Sequence, residues 1–392
     1  MRLPVPRFVV LAVCLSLLLA ACGGSASTST TTTSTSSTAA PTATSAATAT
    51  TASTPAAAAS SPAASPSATT PTAAATATAG TPGAAGPLVK VELDTGFLPS
   101  MNFAPYYLAA AKGYYAAQGL DVTIKDGANP GLLEQIAGGG MVFGIAGGDS
   151  LITARAAGIP DVLVLQQFQK YPVGLITLAN GGAAIAKPAD LKGKKIGVSA
   201  PNGSTYFGLL ALLQAANLTK DDVTIVSIGF TELEALSQKR VDGAMTFITN
   251  EPIQARDQGI PVNQLAVSDY VNLVSTGLVT SEKLVAEHPD IVQKFVTASL
   301  QGLAEAQRDP DAAYAASIKR MQELSPAAAK TQRDILTATL GFEQQPSGHP
   351  YGWSDPNAWT TTINLLKSVG VITKDVDASS CYTNTFVENA RP

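Results

Sequence analysis

In Leu88-Val89-Lys90-Val91-Glu92-Leu93-Asp94 the side chains alternate strictly from Val89 on, with Val89, Val91 and Leu93 apolar and Lys90, Glu92 and Asp94 polar. Successive side chains of a strand point to opposite faces, so this pattern predicts a strand with one face buried. Outward from it, Pro105 opens a helix reaching Lys112, because proline's fixed φ and missing N–H suit a first helical turn. Leu120-Asp121-Val122-Thr123-Ile124 reads as a second strand. Pro130 opens a helix with Leu132, Leu133 and Ile136 on one face, and Met141–Ala146 is a third, short strand. Gly147-Gly148-Asp149-Ser150 then caps a helix that stops at Gly158. Strands alternating with helices predict an α/β fold with a largely parallel sheet.

The rhythm starts again near Lys195. Strands are predicted at Lys195–Ser199, Val223–Ser227 and Val241–Ile248, with helices from Gly203-Ser204-Thr205 and over Thr231–Gln238 between them. Val271–Thr280 is strand-like, and Asp290–Arg308, Ala312–Gln322, Ala327–Leu340 and Pro356–Val369 carry helical spacing. Two α/β units and a helical tail predict two lobes joined by crossing strands near Val173–Ala179 and Val271–Thr280. The first lobe is then discontinuous, 88–178 with 278–392, and 179–277 is the second.

What precedes Leu88 has another character. Arg2 and Arg7 precede the apolar run Phe8–Leu19, which is too short to span a bilayer and has the zones of a secretory signal. Residues 23–87 are uncharged Gly, Ser, Thr, Ala and Pro, with no side chain able to build a core, and predict a disordered tether. Without the two leader arginines, 23 basic residues face 29 acidic ones, a net charge of −6 spread without blocks. Such a surface does not seek nucleic acid. Cys381 is the one cysteine beyond residue 22, so no disulfide is expected within the folded part.

Several segments together carry a family resemblance. Asn102-Phe103-Ala104-Pro105-Tyr106-Tyr107, Lys112-Gly113-Tyr114-Tyr115, Gly119-Leu120-Asp121-Val122 and Gly144-Ile145-Ala146-Gly147-Gly148-Asp149-Ser150 are part of the set. Asp190-Leu191-Lys192-Gly193-Lys194-Lys195-Ile196-Gly197-Val198 and Thr383-Asn384-Thr385-Phe386 complete it. The chain from Leu88 to Ala390 resembles the nitrate, sulfonate and thiamine-precursor group of ABC-transporter solute-binding proteins. The resemblance implies a two-lobed periplasmic-binding-protein fold of the second type with a ligand cleft between the lobes. It also implies delivery of solute to a transmembrane permease by a monomeric receptor. Leu19-Ala20-Ala21-Cys22 is similar to a lipoprotein cleavage site, which implies a lipid on Cys22 and an anchored protein facing the extracytoplasmic side of the membrane.

Ligands of open α/β sheets sit beyond the carboxyl ends of the strands. The loops there supply the candidate ligand contacts Asn102, Asp149, Tyr171, Ser204, Thr205, Tyr206, Asn250 and Glu251. Phe97, Phe103 and Tyr106 lie on or beside them, and no arginine of the folded part does. Carboxylates with aromatics suit a flat heterocycle bearing N–H or O–H donors more than an anion. Within the group, Gly96–Pro105 is more similar to the riboflavin-binding lipoproteins than to the pyrimidine binders, where a His is expected in place of Phe103. Riboflavin is therefore the expected ligand, with a thiamine-precursor pyrimidine, or a sulfonate or nitrate, as alternatives.

Catalysis is the rival class, since some relatives of this group synthesise the thiamine pyrimidine. His288 and His349 are the only histidines, neither in a predicted cleft loop, although His349-Pro350-Tyr351-Gly352-Trp353 has the composition of a lid. No metal site, no cofactor and no enzymatic activity are expected. Glu134 and Glu232 are candidates for an acidic surface facing the permease.

Overall fold

The computed structural model describes residues 87–391. The expected signal segment, Cys22 and the expected tether up to residue 86 lie outside the described residues. The strands are β1 (Val89–Asp94), β2 (Leu120–Lys125), β3 (Val142–Gly147), β4 (Asp161–Gln166), β5 (Val173–Leu178), β6 (Lys195–Val198), β7 (Thr224–Ser227), β8 (Gly243–Phe247), β9 (Val262–Ala266) and β10 (Thr276–Ser281). They form two five-stranded sheets, ordered β2-β1-β3-β10-β4 and β7-β6-β8-β5-β9. In the first, β1 runs parallel to β2 and β3, while β10 is antiparallel to β3 and β4. The second repeats the scheme, with β6 parallel to β7 and β8, and β5 antiparallel to β8 and β9.

Each sheet thus holds one strand that arrives from the other lobe, and the chain crosses between β4 and β5 and between β9 and β10. This corrects the expected division at the first crossing. Val173–Leu178 was expected with the first lobe, but β5 bonds to β8 and β9. The turn falls earlier, at residues 167–172, where Pro172 precedes the strand. The second crossing falls at residues 267–275, and β10 starts at Thr276 rather than Val271. β4 and β9 are not among the strands expected from the sequence. β4 is buried along its whole length and therefore shows no alternation to read.

The helical tail forms as the prolines prescribe. Pro289–Arg308, Pro310–Ile318, Pro326–Phe342 and Pro356–Ser368 each begin on their proline. Asp309, Ser325 and Asp355 add side-chain caps to the last three. Helix Pro289–Arg308 lies across the opening helix Ala104–Ala111, and the two backbones meet at Gly302. A Cβ there would stand 2.2 Å from the carbonyl oxygen of Pro105, so only glycine permits this approach. Beneath them, Phe143 stacks on Phe295 with ring centroids 4.0 Å apart in the first-lobe core. Helix Pro356–Ser368 packs on helices of both lobes, and Gln214 Nε2 donates to Ser368 Oγ at 2.6 Å.

Candidate functional site

The carboxyl ends of β1, β3, β6 and β8 and the segment after β4 converge on one cavity of about 220 Å³ between the lobes. The first lobe contributes Thr95, Gly96 and Phe97 after β1, Asn102 and Phe103 at the start of the next helix, and Gln167 and Phe168 after β4. The second contributes Ser199, Ser204, Thr205, Phe230, Glu232, Thr246, Phe247, Asn250 and Glu251. Five of these are phenylalanines, two are glutamates, and no Lys, Arg or His is among the described lining residues.

Of the residues singled out from sequence, Asn102, Ser204, Thr205, Asn250 and Glu251 line this cavity, and Asp149, Tyr171 and Tyr206 do not. Asp149 and Tyr171 are buried behind it. The Tyr171 hydroxyl is 2.5 Å from Asp149 Oδ2 and 2.8 Å from the carbonyl oxygen of Ser204. Asp149 Oδ1 accepts from Ser204 Oγ at 3.0 Å and from the Ser150 amide at 2.6 Å. One hydroxyl proton cannot serve both oxygens facing Tyr171. Burial, which raises the Asp149 pKa against the opposing hydrogen bonds from Tyr171, Ser204 and Ser150, favours a proton on the carboxyl as the second donor. Asp149 comes from the first lobe, Ser204 from the second and Tyr171 from the crossing between them, so this cluster ties the lobes together. Tyr206 is half-buried beside Phe207, with ring centroids 5.9 Å apart.

Four groups went unrecognised in the sequence. Phe168 and Phe247 sit at the ends of β4 and β8, Phe230 follows β7, and Glu232 follows Phe230. The expectation that Glu232 belongs to an exposed acidic surface is corrected: it is 6% exposed and lines the cavity, whereas Glu134 is exposed. The signal was available, because the loop after β7 is another carboxyl end of a parallel strand. Tyr106, expected near the cleft, lies instead in the first-lobe core, its hydroxyl buried without a partner.

The polar side of the cavity is an unusual balance of acceptors. Glu251 accepts from Asn250 Nδ2 at 2.8 Å and from the Thr246 hydroxyl. Burial raises its pKa against those bonds. Glu232 Oε1 accepts from Ser199 Oγ at 3.3 Å. Burial, aided by the nearby Glu251 charge, pushes Glu232 up to about 7. In the first lobe, Gln167 Nε2 donates to the Asn102 carbonyl oxygen and to Glu343 Oε1, each at 2.6 Å. Gln167 Oε1 and Glu343 Oε2 are buried without partners. Burial pushes Glu343 to about 8, so its carboxyl holds a proton at neutral pH.

The residue set matches the NMT1/THI5-like family model over residues 100–313. The riboflavin-binding protein RibY of Chloroflexus aurantiacus is 36% identical over 305 residues, covering 76% of this chain and 86% of that one. The chain belongs to the NMT1/THI5-like family. A second relative in the family's range is the 4-amino-5-hydroxymethyl-2-methylpyrimidine phosphate synthase of Schizosaccharomyces pombe, 24% identical over 72% of this chain and 83% of that one. Among solved structures, the alkanesulfonate-binding protein SsuA of Xanthomonas axonopodis pv. citri, bound to MOPS, superposes with a TM-score of 0.59. It is 17% identical and covers 77% of this chain and 99% of that one. The NMT1/THI5-like chain therefore has the periplasmic-binding-protein fold expected from its segments. Among its described residues, no helix is long and apolar enough to cross a membrane.

Proposed function

We propose that this NMT1/THI5-like protein is the solute receptor of an ABC importer, capturing riboflavin between its lobes and delivering it to a transmembrane permease. The observation that carries the reading is the cavity: five phenylalanines for a flat ring, amide and carboxyl acceptors for its hydroxyl and N–H donors, and no cation among the described lining residues. The 36% identity to a riboflavin-binding protein supports the same ligand. Asn102, Ser204, Thr205, Asn250 and Glu251 are the contacts in this reading, with Glu232 and the phenylalanines added. Asp149 and Tyr171 position Ser204 from behind.

In this reading the protein is a monomer held at the extracytoplasmic membrane face by lipid on Cys22, with residues 23–87 as the tether. A tether of that length lets the receptor reach its permease while remaining anchored. The ligand leaves unchanged. His288 and His349 are exposed and outside the cavity lining, and the buried Cys381 thiol is pushed up to about 11 by desolvation. The second reading, a thiamine-precursor pyrimidine, draws on the pyrimidine phosphate synthase among the relatives.

Titration of flavin fluorescence with the full chain in detergent tests the reading. Saturable one-to-one quenching is the expected result. No quenching at micromolar protein removes riboflavin and sends the pyrimidine precursors to the same assay by calorimetry.

A further inference from the structure

The cavity is lined by two carboxyl groups with no cation among the described lining residues to neutralise them. Glu232 stands just after the β7 loop and Glu251 at the start of helix Glu251–Asp257, and both line the same void. Glu251 is held on both oxygens by side chains of its own lobe, Thr246 and Asn250. Glu232 is more than nine-tenths buried, and among the described residues only its Oε1 receives a side-chain hydrogen bond, from Ser199. Its own backbone amide is the second donor to the carboxyl, and the remaining acceptor sites are open to a group in the cavity that Glu232 lines. Burying a carboxyl without filling its acceptor sites is unfavourable, so such a group is retained where a ligand supplies the donor.

We infer that Glu232 and Glu251 form a selectivity filter that accepts the hydroxyl or N–H donors of an uncharged ligand and rejects its phosphate ester. The filter rests on the flavin reading above and narrows it: the substrate class is the dephosphorylated vitamin. A phosphate group carries close to two negative charges at neutral pH and offers acceptors almost exclusively. Against two glutamates it meets mainly acceptor oxygens with no lining cation among the described residues, and whichever carboxyl is ionised adds like-charge repulsion that a water-poor cavity screens weakly. A cation-bearing cavity would do the reverse, because Arg and Lys are the usual partners of phosphate oxygens. The consequence for the reaction sequence is that a phosphorylated flavin has to lose its phosphate to a phosphomonoesterase before this receptor captures it.

The test is a paired fluorescence titration with riboflavin and flavin mononucleotide, which share the ring and differ in the terminal phosphate. It is run on the wild-type full chain, Glu232→Gln, Glu251→Gln and the double variant, with thermal unfolding of each to confirm the fold. The expected result is wild-type affinity for flavin mononucleotide at least tenfold below that for riboflavin. In the double variant the ratio falls toward one, because Gln keeps the size, cannot ionise and offers N–H donors to the phosphate. Equal affinity of the wild type for both flavins overturns the filter while leaving riboflavin capture in place. So does a folded double variant with undiminished discrimination. Binding of neither flavin by the wild type overturns the flavin reading and the filter with it.

Discussion

Phe97, after β1 in the first lobe, and Phe230, after β7 in the second, meet edge to face across the lobes with ring centroids 5.1 Å apart. Both line the cavity, and Phe230 is 69% exposed on its outer side. The pair closes part of the cavity wall with side chains that touch only when the lobes are together. An edge-to-face contact contributes about 0.5–1.5 kcal/mol beyond burial. Phe230→Ala is expected to weaken ligand binding by roughly tenfold, mostly through faster release. Because the ring is largely exposed, the unfolding midpoint should move little. Stopped-flow release of riboflavin, measured beside thermal unfolding, checks both halves.

The Asp149–Tyr171–Ser204 cluster predicts a contrast between two substitutions at one site. Asp149→Ala leaves the Tyr171 and Ser204 hydroxyls buried with a lost partner and is expected to destabilise by about 2–4 kcal/mol. Asp149→Asn presents an acceptor to Ser204 and a donor to Tyr171, as a protonated carboxyl does, and should remain within about 1 kcal/mol of the parent. Urea unfolding of the two variants measures the difference. Equal losses would show that Asp149 is ionised in the native protein.

Stability should decline with rising pH on the alkaline side. Glu343 is raised from its ordinary value near 4.5 to about 8, and Glu232 to about 7, both chiefly by burial. The native state holds protons that the unfolded chain releases at lower pH. Their contribution is fully present below about pH 4.5 and is lost as pH rises through 7 to 8. Melting temperature across pH 5 to 9 reads the trend after allowance for other titrating groups. In Glu343→Gln the slope over this range should flatten, since the neutral amide has no proton to lose.

Gly302→Ala should be costly although alanine is the better helix former. Its Cβ falls on the Pro105 carbonyl and 2.8 Å from the Ala109 Cβ, so helices Ala104–Ala111 and Pro289–Arg308 must separate. A loss of about 1–3 kcal/mol is expected from overpacking. Denaturant unfolding measures it. A stabilised variant would mean that the helix pair yields without cost.

Lipid attachment is tested apart from binding. Cys22→Ser should leave riboflavin affinity unchanged, because the cavity draws only on residues 95–276. It should release the protein from washed membranes into the soluble fraction, which immunoblotting of the two fractions reads. Retention on the membrane would remove the anchor from the proposal.

Local pattern alone determined a good part of this protein. The alternation of Val89–Asp94, the second α/β rhythm from Lys195 and the prolines opening the tail helices were legible because strand and helix periods and proline stereochemistry act over a few residues. The carboxyl-end rule then led to Asn102, Ser204, Thr205, Asn250 and Glu251 at the cavity wall. Tertiary structure decided what depends on distant partners. β5 joins the second sheet because its hydrogen-bond partners, β8 and β9, lie some 70 and 90 residues ahead. Asp149 is withdrawn from the cavity because Ser204 and Tyr171, from the other lobe and the crossing, enclose it. Glu232, polar and two residues after an exposed phenylalanine, reads as surface until β5, β6, β8 and helix Glu251–Asp257 of its own lobe pack around the helix it starts. Burial and pairing are properties of what approaches from elsewhere, and no window of sequence contains that information.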